Sequence, residues 1–327
     1  MARVAILGGG AWGTTLSILC AENGHRVSLW VREDDVAQQI EKEHENRVFL
    51  PGIKIPSSVQ PTSDIDAALH GAEYVVLAIP ARYFREIVNQ ASPSLTRVKA
   101  ICSVTKGTPE TGEIPSQILV DVLGEPWTAK IAVLSGPNLS MEIAKGMPAA
   151  TVIASTNTET SKSFQNLFHQ ERFRVYTSED VEGVSWGGVL KNIIAIAAGV
   201  VGGLHLGAHA KSALLRRGLA EMTRFGVALG ARSETFYGLS GLGDLLCTSA
   251  GELSRNYRVG TAIASGKKLD VILGETPSVA EGVFSSRTVL KIAREKKIEM
   301  PITEQVVAVL FEHKSPRLAL QDLMQRG

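Results

Sequence analysis

The stretch Val4-Ala5-Ile6-Leu7-Gly8-Gly9-Gly10-Ala11-Trp12-Gly13 constrains this chain more than any other. It contains G-x-G-x-x-G at Gly8, Gly10 and Gly13, a weak pattern on its own. Here the pattern follows an apolar, strand-like run and opens an apolar helix, Thr14–Cys20. That strand–turn–helix context distinguishes a dinucleotide turn from a plain glycine-rich connection. Gly8 would permit the tight turn, Gly10 the close approach of a pyrophosphate, and Gly13 the packing of helix on strand. The free N–H groups at the helix start would then face the phosphates.

A turn of this kind opens a parallel sheet, and the first half continues as one. Apolar runs at Arg3–Leu7, Arg26–Trp30, Tyr74–Ile79, Lys99–Ser103 and Ile131–Leu134 alternate with helical patterns such as Trp12–Asn23, Asp34–His44 and Phe84–Gln90. Continuous apolar strands separated by helices predict a parallel sheet buried on both faces. Ala150–Ala154 and Phe173–Tyr176 are candidates for further strands at one edge. From about Val181 the periodicity becomes helical, over Val184–Val201, Ala213–Leu229, Val283–Ala293 and Thr303–Leu310. The expected architecture is therefore α/β, a doubly wound Rossmann-type domain over 1–183 followed by an all-α substrate and catalytic domain over 184–327. A chain of 327 residues fits two domains.

With 34 basic and 33 acidic residues the net charge is +1, so no global field draws nucleic acid or an anionic membrane. Cys20, Cys102 and Cys247 are odd in number and far apart, which points away from a disulfide framework and toward a reducing, cytoplasmic setting. No leader is expected, and the apolar stretch Ile193 to Leu206 is too short to span a bilayer. His205 and His209 lack the carboxylate of a zinc-protease pattern, so no metal site is expected. Homodimerisation through helices is compatible with the second half, but no heptad or patch specifies it.

The second strand ends Leu29-Trp30-Val31-Arg32-Glu33, without the acidic residue that usually binds an NAD ribose at the strand end itself. Arg32 could pair with a 2′-phosphate, which favours NADP over NAD. Glu33 could instead pair with Arg32 or contact the ribose. Two lysines stand out as proton donors for carbonyl chemistry. Lys106 follows a strand carboxyl end, and Lys191 sits in an apolar, small-residue helix where desolvation would lower its pKa. The alternative for Lys191 is a packed stem with its ammonium in water. Ser254-Arg255-Asn256 suits a phosphate at a helix start, or else a plain N-cap beside a surface arginine. Asp244, after Gly241-Leu242-Gly243, reads as functional or as an Asx turn.

Taken together, the glycine turn, Asn46–Pro51, Ala78–Pro80, Thr105-Lys106-Gly107, Leu134–Pro137, Leu190–Ala195, Arg217–Met222, Gly241–Leu245, Ser254-Arg255-Asn256, Glu281-Gly282 and Met300–Glu304 resemble, in order and over nearly the whole length, the bacterial NAD(P)-dependent glycerol-3-phosphate dehydrogenase family. The resemblance implies reversible reduction of dihydroxyacetone phosphate to sn-glycerol 3-phosphate, supplying phospholipid synthesis. It implies Lys191 as proton donor and acceptor, Lys106 touching substrate and cofactor, and Asp244 holding substrate and lysine. Gly136, Asn138, Ser254, Arg255 and Asn256 would bind substrate. Ala11, Trp12, Arg32, Ser140, Arg255, Val279 and Glu281 would contact the cofactor. Asn138, Ser140, Ala11 and His209 depart from the family's usual residues. Competing readings are a related dehydrogenase of the ketopantoate, 6-phosphogluconate or opine type, and a non-catalytic dinucleotide sensor.

Overall fold

The computed structural model describes residues 1–251, 253–275 and 279–325. It contains β1 (Arg3–Leu7), β2 (Arg26–Trp30), β3 (Glu45–Asn46), β4 (Leu50–Lys54), β5 (Val59–Thr62), β6 (Tyr74–Leu77), β7 (Ala100–Ser103), β8 (Ile131–Ser135), β9 (Ala149–Ala154) and β10 (Phe173–Ser178). Eight of these form one sheet in the order β10-β9-β8-β7-β6-β1-β2-β5, while β3 and β4 pair antiparallel outside it. Within the sheet only β8 and β9 run antiparallel. The chain first winds outward from β1 through β2 to β5, then returns to β6 on the other side of β1. This reversal puts a topological switch point at the carboxyl ends of β1 and β6, where doubly wound sheets bind ligands.

Side-chain alternation explains why β1 reads as one apolar run. Val4 and Ile6 enter one core, and Ala5 and Leu7 enter a second core on the opposite face. Both faces are covered, so neither set of positions tolerates polarity. The strand β5 was not expected, because Pro61 interrupts its pattern. At a sheet edge the missing proline N–H leaves no ladder bond unmade. The β8–β9 pairing is likewise unreadable, since strands buried on both faces look the same in either direction.

Two compact units result. One comprises Met1–Thr105 and Pro115–Val181; the other comprises Lys106–Ile114 and Glu182–Gly327. The second is built around the helix Val181–Gly203, which contains the helical periodicity at Val184–Val201 and begins well before the apolar stretch Ile193 to Leu206. Its length and hydropathy would suffice to cross a membrane, but 89% of its apolar window is buried inside the protein. It serves as a core helix. A Cβ on Gly260 would lie 2.0 Å from the Ile196 carbonyl oxygen, and one on Gly199 would lie 2.0 Å from that of Tyr257. The core helix and helix Arg255–Ala264 therefore touch backbone to backbone.

The helix Pro301–Phe311 has no side-chain cap of its own. A distant carboxylate supplies it. Glu221, 2% exposed, accepts from Ile302 N at 2.8 Å, Thr303 N at 2.9 Å and Thr303 Oγ1 at 2.7 Å. Burial raises the Glu221 pKa, and these three donors work against the rise. Glu221→Ala would strand two buried amides and a hydroxyl. It is expected to cost about 3 kcal/mol of stability, read from denaturant unfolding.

Candidate active site

The glycine turn lies at the carboxyl end of β1. Gly8 has φ +121°, and a Cβ there would sit 2.4 Å from the Ala78 carbonyl oxygen, just beyond β6. A Cβ on Gly13 would sit 1.9 Å from the Gly8 oxygen, so only glycine lets the helix Ala11–Glu22 approach this closely. A Cβ on Gly10 would meet nothing within 4 Å. Gly10 also caps the helix without any side-chain bond to its first amides. Two glycines are thus closed by packing and the third faces open space beside uncapped amides. That arrangement fits a dinucleotide pyrophosphate.

Other predicted cofactor residues of this unit gather near the turn or near β2. Ala11 and Trp12 open the helix, and Trp12 packs edge-on against Phe173 at 6.3 Å. The Trp12 Nε1 is buried with no hydrogen-bond partner among the described residues. Ser140 begins the helix Ser140–Ala144, and its carbonyl accepts from Thr15 Oγ1 on the dinucleotide helix at 3.2 Å. Arg32 is exposed, lies 5.6 Å over the Tyr83 ring and pairs with Glu33 at 2.5 Å. Arg32 and Glu33 are thus paired at the end of β2, one of the two roles open to Glu33. Gly136 follows β8 with φ +146°, and Asn138 Oδ1 accepts from Thr151 Oγ1 at 3.2 Å.

The second unit brings Lys106, Lys191 and Asp244 together. Lys106 Nζ lies 2.9 Å from Asp244 Oδ2, and Lys191 Nζ lies 3.0 Å from Asp244 Oδ1. Asp244 is 1% exposed. The approach depends on Gly187, one helical turn before Lys191. A Cβ there would lie 2.7 Å from the Ser240 carbonyl oxygen. Ser240 belongs to the π-helical turn Leu239–Gly243, which leads directly into Asp244. The carboxylate binds two lysines and is not spent on an Asx turn. Burial opposes its charge, but Lys106 and Lys191 outweigh burial and hold its pKa below the usual carboxylate range.

Burial lowers the Lys191 pKa to about 8, with Asp244 opposing the fall and Lys106 adding to it. Lys191 is therefore the desolvated amine envisaged above, and its ammonium does not reach into open water.

Thr248 and Asn192 complete the cluster, and the sequence reading passed over both. Thr248 Oγ1 accepts from Lys191 Nζ at 2.7 Å and donates to Asp244 Oδ1 at 3.0 Å. Its place one helical turn after Asp244 was the available signal. Asn192 Nδ2 donates to the Lys106 carbonyl at 2.9 Å, and Asn192 Oδ1 accepts from Asn256 Nδ2 at 2.8 Å. Asn256 Oδ1 in turn accepts from Gly282 N at 3.0 Å, beside Glu281 at the start of helix Glu281–Glu295. Ser254 caps helix Arg255–Ala264 by accepting from Tyr257 N at 3.2 Å. Arg255 opens that helix with its side chain exposed, under the charges of Glu281 and Arg258. Val279, partly buried, precedes Glu281.

Two family models match this chain. Residues 3–161 match the NAD-dependent glycerol-3-phosphate dehydrogenase N-terminus, and residues 180–321 match the corresponding C-terminus. A glycerol-3-phosphate dehydrogenase [NAD(P)+] of Syntrophotalea carbinolica is 43% identical over 99% of this chain and 98% of its own length. The enzyme of that name from Geobacillus thermodenitrificans is 41% identical over 100% and 96%. The crystal structure of glycerol-3-phosphate dehydrogenase from Coxiella burnetii is 35% identical, covers 99% of both chains and has a TM-score of 0.95.

The cluster's electrostatics predict the effect of one substitution. Asp244→Asn removes the charge that supports the Lys191 ammonium but leaves burial and Lys106 in place. The pH at which Lys191 becomes reactive toward amine reagents should drop below the present value of about 8.

Proposed function

The chain belongs to the NAD-dependent glycerol-3-phosphate dehydrogenase family, NAD(P)-linked oxidoreductases acting on a CH–OH group, and we propose that Lys191 is the proton donor and acceptor in its interconversion of dihydroxyacetone phosphate and sn-glycerol 3-phosphate. The observation that carries this reading is the buried Lys191–Asp244–Lys106 cluster.

A dinucleotide held at the glycine turn would supply or receive the hydride. For ketone reduction, the Lys191 ammonium gives a proton to the oxygen that becomes the carbinol. For alcohol oxidation, the neutral amine takes that proton back. A pKa of about 8 serves both directions near neutral pH. Asp244 stays ionised throughout and holds both lysines at hydrogen-bonding distance. Thr248 fixes the Lys191 ammonium with a second bond, which limits the directions its free proton can take. Two ammonium groups on one carboxylate leave the trio with one net positive charge, suited to a developing alkoxide and a phosphorylated substrate.

Arg255 at a helix N-terminus is the phosphate ligand in this reading, with Ser254 and Asn256 beside it. Ser254 uses a lone pair in capping and retains its hydroxyl proton for the phosphate. Asn256 retains one Nδ2 proton beyond its bond to Asn192. Lys106, Gly136 and Asn138 complete the substrate contacts. Gly8, Gly10, Ala11, Trp12, Gly13, Ser140, Val279 and Glu281 attend the cofactor, and Arg32 favours NADP. The thiols of Cys20, Cys102 and Cys247 accord with a cytoplasmic enzyme that feeds phospholipid synthesis.

Paired NADPH and NADH oxidation assays with dihydroxyacetone phosphate test the activity and the cofactor preference together. Lys191→Ala should still bind NADPH but lose about three orders of magnitude in turnover; near-normal turnover would rule out the assigned role. In the wild type, kcat/KM for reduction should decline as pH rises past about 8, because Lys191 is then no longer protonated.

A further inference from the structure

The excursion made by β3 and β4 adds no strand to the main sheet, yet it delivers a completely buried carboxamide to the glycine turn. Asn46, at 0% exposure, donates through Nδ2 to the Gly9 carbonyl at 2.8 Å and to Thr14 Oγ1 at 2.9 Å. Its Oδ1 accepts from Phe49 N at 3.1 Å. Thr14 Oγ1 itself donates to the Gly9 carbonyl at 3.3 Å. Two side chains, one 32 residues beyond the other, thus converge on a single carbonyl.

That carbonyl belongs to the peptide joining Gly9 to Gly10. In a trans peptide the C=O and the following N–H point in opposite directions, so pinning one aims the other. Flanked by two glycines, this peptide has more freedom to rotate than any other pairing would allow. The two bonds hold the Gly9 carbonyl, and beside it a Cβ on Gly10 would meet nothing within 4 Å.

We propose that Asn46 is a positioning residue for the dinucleotide, acting through the Gly9 carbonyl to present the Gly10 amide to the pyrophosphate. This rests on the reading above that the glycine turn carries the cofactor. Asn46 touches no reacting atom; its effect falls on cofactor affinity.

The experiment compares full-length wild type with Asn46→Asp, whose carboxylate cannot donate to Gly9, and with Thr14→Val, which removes the supporting hydroxyl at nearly constant volume. Binding of NADPH, ADP and 2′-AMP is measured by calorimetry, and KM for NADPH and for dihydroxyacetone phosphate by steady-state kinetics. Asn46→Asp should weaken NADPH and ADP by about tenfold or more, the factor expected from one positioning hydrogen bond. The affinity for 2′-AMP, which has no pyrophosphate, and the KM for dihydroxyacetone phosphate should change by less than about twofold, since neither depends on the turn. Thr14→Val should show the same pattern at smaller size, and it serves as the test if Asn46→Asp does not fold. Wild-type affinity for ADP, or equal losses for ADP and 2′-AMP, would overturn the proposal. Gly10→Val separates the two levels. If it binds ADP normally, the turn is not the pyrophosphate site and the underlying reading fails. If it loses ADP while Asn46→Asp retains it, the reading stands and only the role of Asn46 falls.

Discussion

Asp244 carries its charge almost without water, and it can do so because Lys106 and Lys191 reach different oxygens of its carboxylate. An isolated carboxylate at that depth would cost several kcal/mol and would take up a proton. Much of the surrounding fold serves this arrangement. Gly187 admits the Leu239–Gly243 turn against the core helix, and that turn sets the start of the short helix bearing Asp244 and Thr248. Asn192 holds the Lys106 backbone. Each lysine is restrained at its charged end by Asp244, and Lys191 is restrained again by Thr248, so the ammonium groups keep little orientational freedom.

The glycine turn follows the opposite strategy. Its glycines remove side chains so that backbone can pack on backbone, and its chemistry resides in amides. Packing closes Gly8 and Gly13, whereas hydrogen bonds from Asn46 and Thr14 hold the peptide between Gly9 and Gly10. Sterics thus set the path of the chain through the turn, and polar bonds add a hold on the peptide between Gly9 and Gly10.

These differences account for what could be read in advance. The glycine turn, β1, β2 and the apolar core of β6, β7 and β8 are local patterns of periodicity and punctuation, visible within ten residues. Lys106, Lys191 and Asp244 stood out because each is chemically unusual for its neighbourhood. Thr248, Asn192 and Asn46 are ordinary residues there. Their meaning lies in partners far along the chain, such as the 57 residues between Lys191 and Thr248, and no local pattern encodes that meeting. The capping of Pro301–Phe311 by Glu221 escaped for the same reason, across 81 residues. Arg32 was legible as a cation at the end of β2, and its partner Glu33 is its immediate neighbour in the chain.

The segment Lys106–Ile114 leaves the sheet after β7, packs with the helical unit and returns to the sheet unit at Pro115. Ile114 is fully buried in the helical core, and Lys106 pairs with Asp244. The polypeptide therefore passes between its two units at Thr105–Lys106, at Ile114–Pro115 and at Val181–Glu182. No single cut yields two self-sufficient modules, since a break near residue 181 leaves a piece of the helical core, and one of its lysines, on the wrong fragment. Recombination that exchanges the two units as cassettes is closed to such an architecture. New specificities must instead evolve by substitution within an intact chain.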